Sequence, residues 1–154
     1  MTEEQKPTYG ISLKGQYIKD LSFENPRAPQ SLLSLREPPS IDMNVEMNAQ
    51  RIQDKLFELT ITISARANHE KSTVFLTDVA YGGLFEINAP EEANLEQIVL
   101  IDCAFLLFPF ARRVIADVTR DGGFPPLQLE PIDFYALYAQ NRDTIRRAKD
   151  APQS

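Results

Sequence analysis

Catalysis needs reactive groups at workable spacing, and this chain of 154 residues offers few. Its single histidine, His69, falls in the polar run Asn68-His69-Glu70-Lys71, which reads as a solvated hairpin turn. Its single cysteine, Cys103, opens the apolar run CAFLLFPF and reads as a small buried hydrophobe. The two lie far apart in the pattern, so a thiol–imidazole pair is not expected. No residues show metal-ligand spacing, and no phosphate-cradling glycine motif is present. Gly82-Gly83 and Gly122-Gly123 are bare pairs that read as a kink or bulge and as a helix stop. Carboxylates remain, and on an open sheet their pKa values have little reason to move. The residues therefore point to a binding protein, not an enzyme, with no metal and no cofactor.

Those carboxylates need strands to set them on a common face. From Ile11 to Glu24, the odd positions Ile11, Leu13, Tyr17, Leu21 and Phe23 are apolar. The even positions Ser12, Lys14, Gln16, Asp20, Ser22 and Glu24 are polar. Period two predicts a strand with one buried face, and a bulge at Ile18 and Lys19 accounts for the break. Asn25-Pro26-Arg27-Ala28-Pro29 ends it, and a long connection to Pro39 carries Leu32, Leu33 and Leu35. Connections of that length are usually functional or packed over something.

Ile41 to Ala49 and Phe57 to Ala67 alternate without a fault, joined by a short turn at Arg51 to Asp54. The polar run around His69 then leads into a fourth strand, Ser72 to Ile87. Four strands joined by turns predict an antiparallel meander with one apolar face. Asp20, Glu24, Asp42, Glu46, Glu58, Asp78 and Glu86 fall on the other face against Lys14 and Arg66, so that face is acidic.

Pro90-Glu91-Glu92 suits a helix start, and the pattern predicts a long helix to Arg120 with a kink at Pro109. A half-wet helix shows an apolar stripe of roughly 100°. Here apolar residues surround the axis from Ile98 to Ala111, so burial on several sides is expected, with a second copy of the chain as the simplest cover. Gly122 is the expected left-handed cap. Phe124-Pro125-Pro126-Leu127 reads as a stiff, apolar loop, and a last helix is predicted from Ile132 to Lys149 with Phe134, Leu137, Tyr138 and Ile145 on one stripe. The fold class is α+β, with one domain over residues 10–149 and tails at 1–9 and 150–154.

The net charge of −6 speaks against nucleic acid and anionic membranes and permits a basic protein partner. No window reaches the ~20 apolar residues of a membrane span. The opening MTEEQKPT lacks the layout of a secretory signal, and one cysteine rules out an internal disulfide, so the cytoplasm is the expected compartment. A second reading from these residues is a small-ligand or enzymatic domain, with a cavity between sheet and helices using Tyr81, Asp133 or Tyr135.

Four segments in register, YIKDLSFENPRAP (17–29), GGLF (82–85), LFPFAR (107–112) and GGFPPLQLEPIDF (122–134), resemble the SecB family of bacterial protein-export chaperones. The resemblance runs from about residue 9 to 146. It implies a four-stranded sheet with two helices per subunit, assembled as a homotetramer, a dimer of dimers with the long helices between two sheets. It implies no enzymatic activity. It also implies binding of unfolded precursor proteins in the cytoplasm, kept translocation-competent and handed to the motor ATPase SecA. SecA docks on the family's open sheet face through a small basic, zinc-holding tail whose zinc belongs to SecA. The matching positions here are Asp20, Glu24, Leu76 and Asp78, and the family's assembly-sensitive positions match Thr77, Val79 and Tyr81. For clients, the apolar candidates are Leu32, Leu33, Leu35, Phe124, Phe134 and Tyr138, with core packing an equal or stronger claim on each, above all on Phe134. A tryptophan common in the family's long loop is replaced by Arg36. A chaperone serving one dedicated client, such as a toxin–antitoxin partner, is a variant of the same reading.

Overall fold

A computed structural model describes residues 10–34 and 37–140. The expected tails, the far end of the last helix, Leu35 and Arg36 lie outside the described residues. Four long strands form one sheet: β1 (Gly10–Glu24), β2 (Ser40–Gln53), β3 (Leu56–His69) and β4 (Ser72–Asn88). All neighbours are antiparallel, in the order β1-β4-β3-β2. Only β2-β3-β4 form the expected meander: β1 pairs with β4 and not with β2, because the long connection carrying α1 (Gln30–Ser34) spans the sheet in place of a turn. That connection holds a single helical turn.

A helical layer covers one sheet face. It begins with α2 (Leu95–Gln97), passes through six residues of wider π-type winding (Ile98–Cys103) and continues as α3 (Ala104–Asp121). The start falls at Leu95, not Pro90, because the Asn94 side chain accepts from the Gln97 backbone N–H at 3.2 Å and caps the first turn. α3 runs through Pro109 without interruption, and the departure from α geometry lies before it, at Ile98–Cys103. At the other end the left-handed residue is Gly123 (φ 95°), not Gly122. Gly123 N–H donates to Arg120 C=O and Phe124 N–H to Thr119 C=O, which satisfies the last carbonyls. Residues 134–140 are helical again.

The core lies between sheet and helices. Leu59, Ile61, Ile63, Val79 and Phe85 meet Val99, Leu107, Ala111 and Ile115, all essentially buried. A smaller cluster of Ala67, Val74, Phe75 and Phe124, with Phe23 against it, sits at the other end of the strands. Cover is incomplete. Leu13, Ile18 and Leu21 of β1, Ile41 and Met43 of β2, and Phe105 and Leu106 of α3 stay exposed. One copy therefore buries one flank of the long helix and leaves the other to solvent.

Candidate functional site

The uncovered sheet face is ordered by strand register into rows that run β1, β4, β3, β2. The first three are Glu24–Leu76–Arg66–Asp42, Ser22–Asp78–Ser64–Asn44 and Asp20–Ala80–Thr62–Glu46. Next come Tyr17–Gly82–Thr60–Asn48, Gly15–Leu84–Glu58–Gln50 and Ser12–Glu86–Leu56–Gln53. Five carboxylates and one arginine occupy the first three rows. Asp20, Glu24, Leu76 and Asp78 are brought together there on adjacent strands. Neither Asp20 nor Glu24 has an ion-pair partner among the described residues, and Asp78 accepts a hydrogen bond from the Ser64 hydroxyl at 2.5 Å.

The other end of the face is electrically closed. Lys14 pairs with Glu86 at 3.4 Å and Lys19 with Glu58 at 3.0 Å. Tyr17 donates its hydroxyl proton to the other Glu58 oxygen at 2.5 Å. Those two hydrogen bonds hold the Glu58 carboxyl below its ordinary 4.5, against the opposing pull of partial burial. Burial, then the bond to Glu58, pushes the Tyr17 phenol up to about 12.

This arrangement corrects the parity expected for β1. The bulge falls between Ile18 and Asp20 as the pattern suggested, and a second lies between Leu13 and Gly15. Two extra residues cancel at the ends of the strand but invert the middle. Tyr17 therefore joins the acidic face, while Ile18 turns to the helical side opposite Tyr81. Gly82-Gly83 makes no bulge. The strand pairs through both residues, and each glycine instead admits a side chain. A Cβ on Gly82 would meet the Tyr17 ring at 2.5 Å, and one on Gly83 would meet the Phe85 ring at 2.7 Å and Leu107 at 2.9 Å.

A second surface is a shallow groove between the β1–β2 connection and the Pro-rich loop, lined by Leu32, Pro38, Pro39, Gly123, Phe124 and Pro125. It brings Leu32 and Phe124 together. Phe124 is buried beneath it, with its ring 4.8 Å from Phe75, whereas Leu33 is 84% exposed. Phe134 and Tyr138 are not part of the groove. They lie in the main core, with Phe134 edge-on to Phe105 at 5.0 Å and to Phe108 at 5.6 Å. Thr77, Val79 and Tyr81 are also interior to the single chain, and the Thr77 hydroxyl donates to Ser22 C=O at 2.7 Å.

No arrangement suited to catalysis emerges among the described residues. Cys103 is sealed in the core, where burial, with the Asp102 charge second, pushes its thiol up to about 12. Tyr81, Asp133 and Tyr135 do not converge. Tyr81 is in the core, Asp133 accepts from the backbone N–H groups of Tyr135 and Ala136, and the Tyr135 side chain is exposed. No helix among the described residues is long and apolar enough to cross a membrane.

The family model described as preprotein translocase subunit SecB matches residues 2–144. The chain belongs to the SecB family. The protein-export protein SecB of Nitrobacter hamburgensis is 45% identical over 150 residues, which cover 97% of this chain and 94% of that one. The SecB of Caulobacter sp. strain K31 is 50% identical over 133 residues, 86% of this chain and 81% of its own. Among solved structures, the Mycobacterium tuberculosis Rv1957 SecB-like chaperone, in complex with a ChAD peptide from the Rv1956 HigA1 antitoxin, superposes with a TM-score of 0.64. That match has 20% identity and covers 80% of this chain and 91% of that one, a likeness of fold.

Proposed function

We propose that this protein is a chaperone of protein export that binds unfolded precursor proteins, keeps them translocation-competent and passes them to SecA. The observation that carries this reading is the apolar surface one copy leaves uncovered: Leu32 and Leu33 at the Pro-rich groove are open to clients, apart from the β1 and α3 side chains that suit assembly. Apolar contact is non-directional and scales with area at ~25 cal/mol per Å², so it holds clients without reading their sequence. Ordering a flexible client consumes much of that gain, which suits a long groove of weak sites multiplied by assembly.

The uncovered flank of α3 and the edge of β1 are the surfaces for self-assembly into a dimer of dimers. Thr77, Val79 and Tyr81 influence that assembly through the packing of β4 and not by touching a neighbour, because they are already interior. The acidic rows holding Asp20, Glu24, Leu76 and Asp78 are the docking surface for the basic tail of SecA. The zinc of that tail comes with SecA, and the family relationship favours a protein without enzymatic activity that works in the cytoplasm.

The test of client binding uses Leu32→Asp, which puts a charge on the groove wall at an exposed side chain outside the core. A denatured precursor should bind this variant several-fold more weakly while its mass in solution stays that of wild type. Equal binding would remove the groove from the mechanism. Binding of the SecA tail should weaken from low to physiological salt, as exposed charges are screened over ~8 Å.

A further inference from the structure

The acidic face carries a cation that does not reach the free acids. Lys19 is the extra residue of the bulge between Ile18 and Asp20, so it precedes Asp20 directly, and both point to the uncovered face. An unrestrained ammonium there would fold onto Asp20 or its neighbours and cancel part of the field. It is instead drawn across β4 to Glu58 on β3, 3.0 Å away. Glu58 is held in place from the other side by Tyr17, whose ring crosses the sheet where Gly82 has no Cβ. The Glu58 side chain is only 14% exposed, so a basic partner has little access to it.

We propose that Glu58 is a positioning residue for docking: it sequesters Lys19, so that Asp20, Glu24 and Asp78 stay unneutralised for the basic partner. The inference rests on the docking reading above and adds a role for a carboxylate that does not itself meet the partner.

The experiment measures affinity for the SecA tail peptide at low salt. The variants are Glu58→Gln, Lys19→Met, the double variant, and Glu46→Gln as a charge-matched control on the same face. Glu46→Gln should weaken binding about twofold, the loss of one exposed charge. Glu58→Gln removes the same charge, keeps an acceptor for Tyr17, and should weaken binding about fivefold or more, because it also releases Lys19. Adding Lys19→Met should restore affinity to within about twofold of wild type. Lys19→Met alone should bind at least as well as wild type, which reads out the same idea without touching Glu58.

If Glu58→Gln matches Glu46→Gln, if the double variant stays as weak as Glu58→Gln, or if Lys19→Met weakens binding, the sequestration role is overturned while docking stands. If wild type ignores the peptide, docking and sequestration fall together.

Discussion

Glu58 is the centre of a three-residue polar cluster on the sheet with Tyr17 and Lys19, and these contacts make the protein's stability sensitive at both ends of the pH scale. Its carboxyl titrates below the ordinary 4.5, so its contribution is full above that value and is lost as pH falls through the lowered one. The Tyr17 phenol titrates at about 12 instead of 10, so the unfolded chain gives up its proton first and stability declines as pH rises across that interval. Tyr17→Phe removes the phenol effect and the larger cause of the carboxyl effect, leaving the contribution of Lys19, and should cost about 1 kcal/mol near neutrality. Urea denaturation at a series of pH values checks this. The gap between wild type and variant should narrow below the glutamate range and again above pH 10.

None of this cluster was legible in the sequence. A single break at Ile18 and Lys19 suggests one bulge, and one bulge leaves Tyr17 on the apolar side. The second, between Leu13 and Gly15, leaves the alternation of the apolar positions intact, and its one mark in the sequence is Gly15, a residue type that often accompanies a bulge. Glu58 itself falls on the acidic face by the alternation of its own strand; its bond to Tyr17 was hidden by the β1 parity. Asp20, Glu24 and Asp78 were legible because they lie beyond both bulges or on an unbroken strand.

At the scale of elements, the strands were readable because period two persists over many residues in β2 and β3, and burial of one face enforces it. The connections and helix ends were less so. Capping at Leu95 depends on one Asn94 side chain, and the π-type stretch shows no sequence period of its own over six residues. The turn between β3 and β4 carries a local cost. Glu70 and Lys71 both take positive φ, 47° and 66°, a region that charges ~1–2 kcal/mol to ordinary side chains. Replacing the pair by Glu70→Asn and Lys71→Gly supplies the residues this two-residue turn prefers. The expected gain is about 1 kcal/mol, read as a higher denaturant midpoint at unchanged slope.

At the scale of the whole molecule, the excess of apolar residues around Ile98 to Ala111 is the feature the sequence shows most plainly, and the structure sharpens it. Ile98 through Ile101, Leu107 and Ala111 are spent on the chain's own core, whereas Phe105 and Leu106 remain 46% and 50% exposed. Leu106→Asp therefore separates folding from assembly. Far-UV circular dichroism should change little, while light scattering should report a mass below that of the proposed tetramer. A tetramer that survives the substitution would move the interface elsewhere on the surface.

The sealed Cys103 gives this molecule a clock. Its sulfur is fully enclosed and stays protonated at any physiological pH, so oxidants and alkylating dyes in solution find nothing to attack. Modification must wait until the helical layer lifts from the sheet. At dye concentrations high enough to outrun reclosing, the pace at which the native protein is consumed is the pace of opening itself, and at lower concentrations it reports the open fraction, with no introduced label needed.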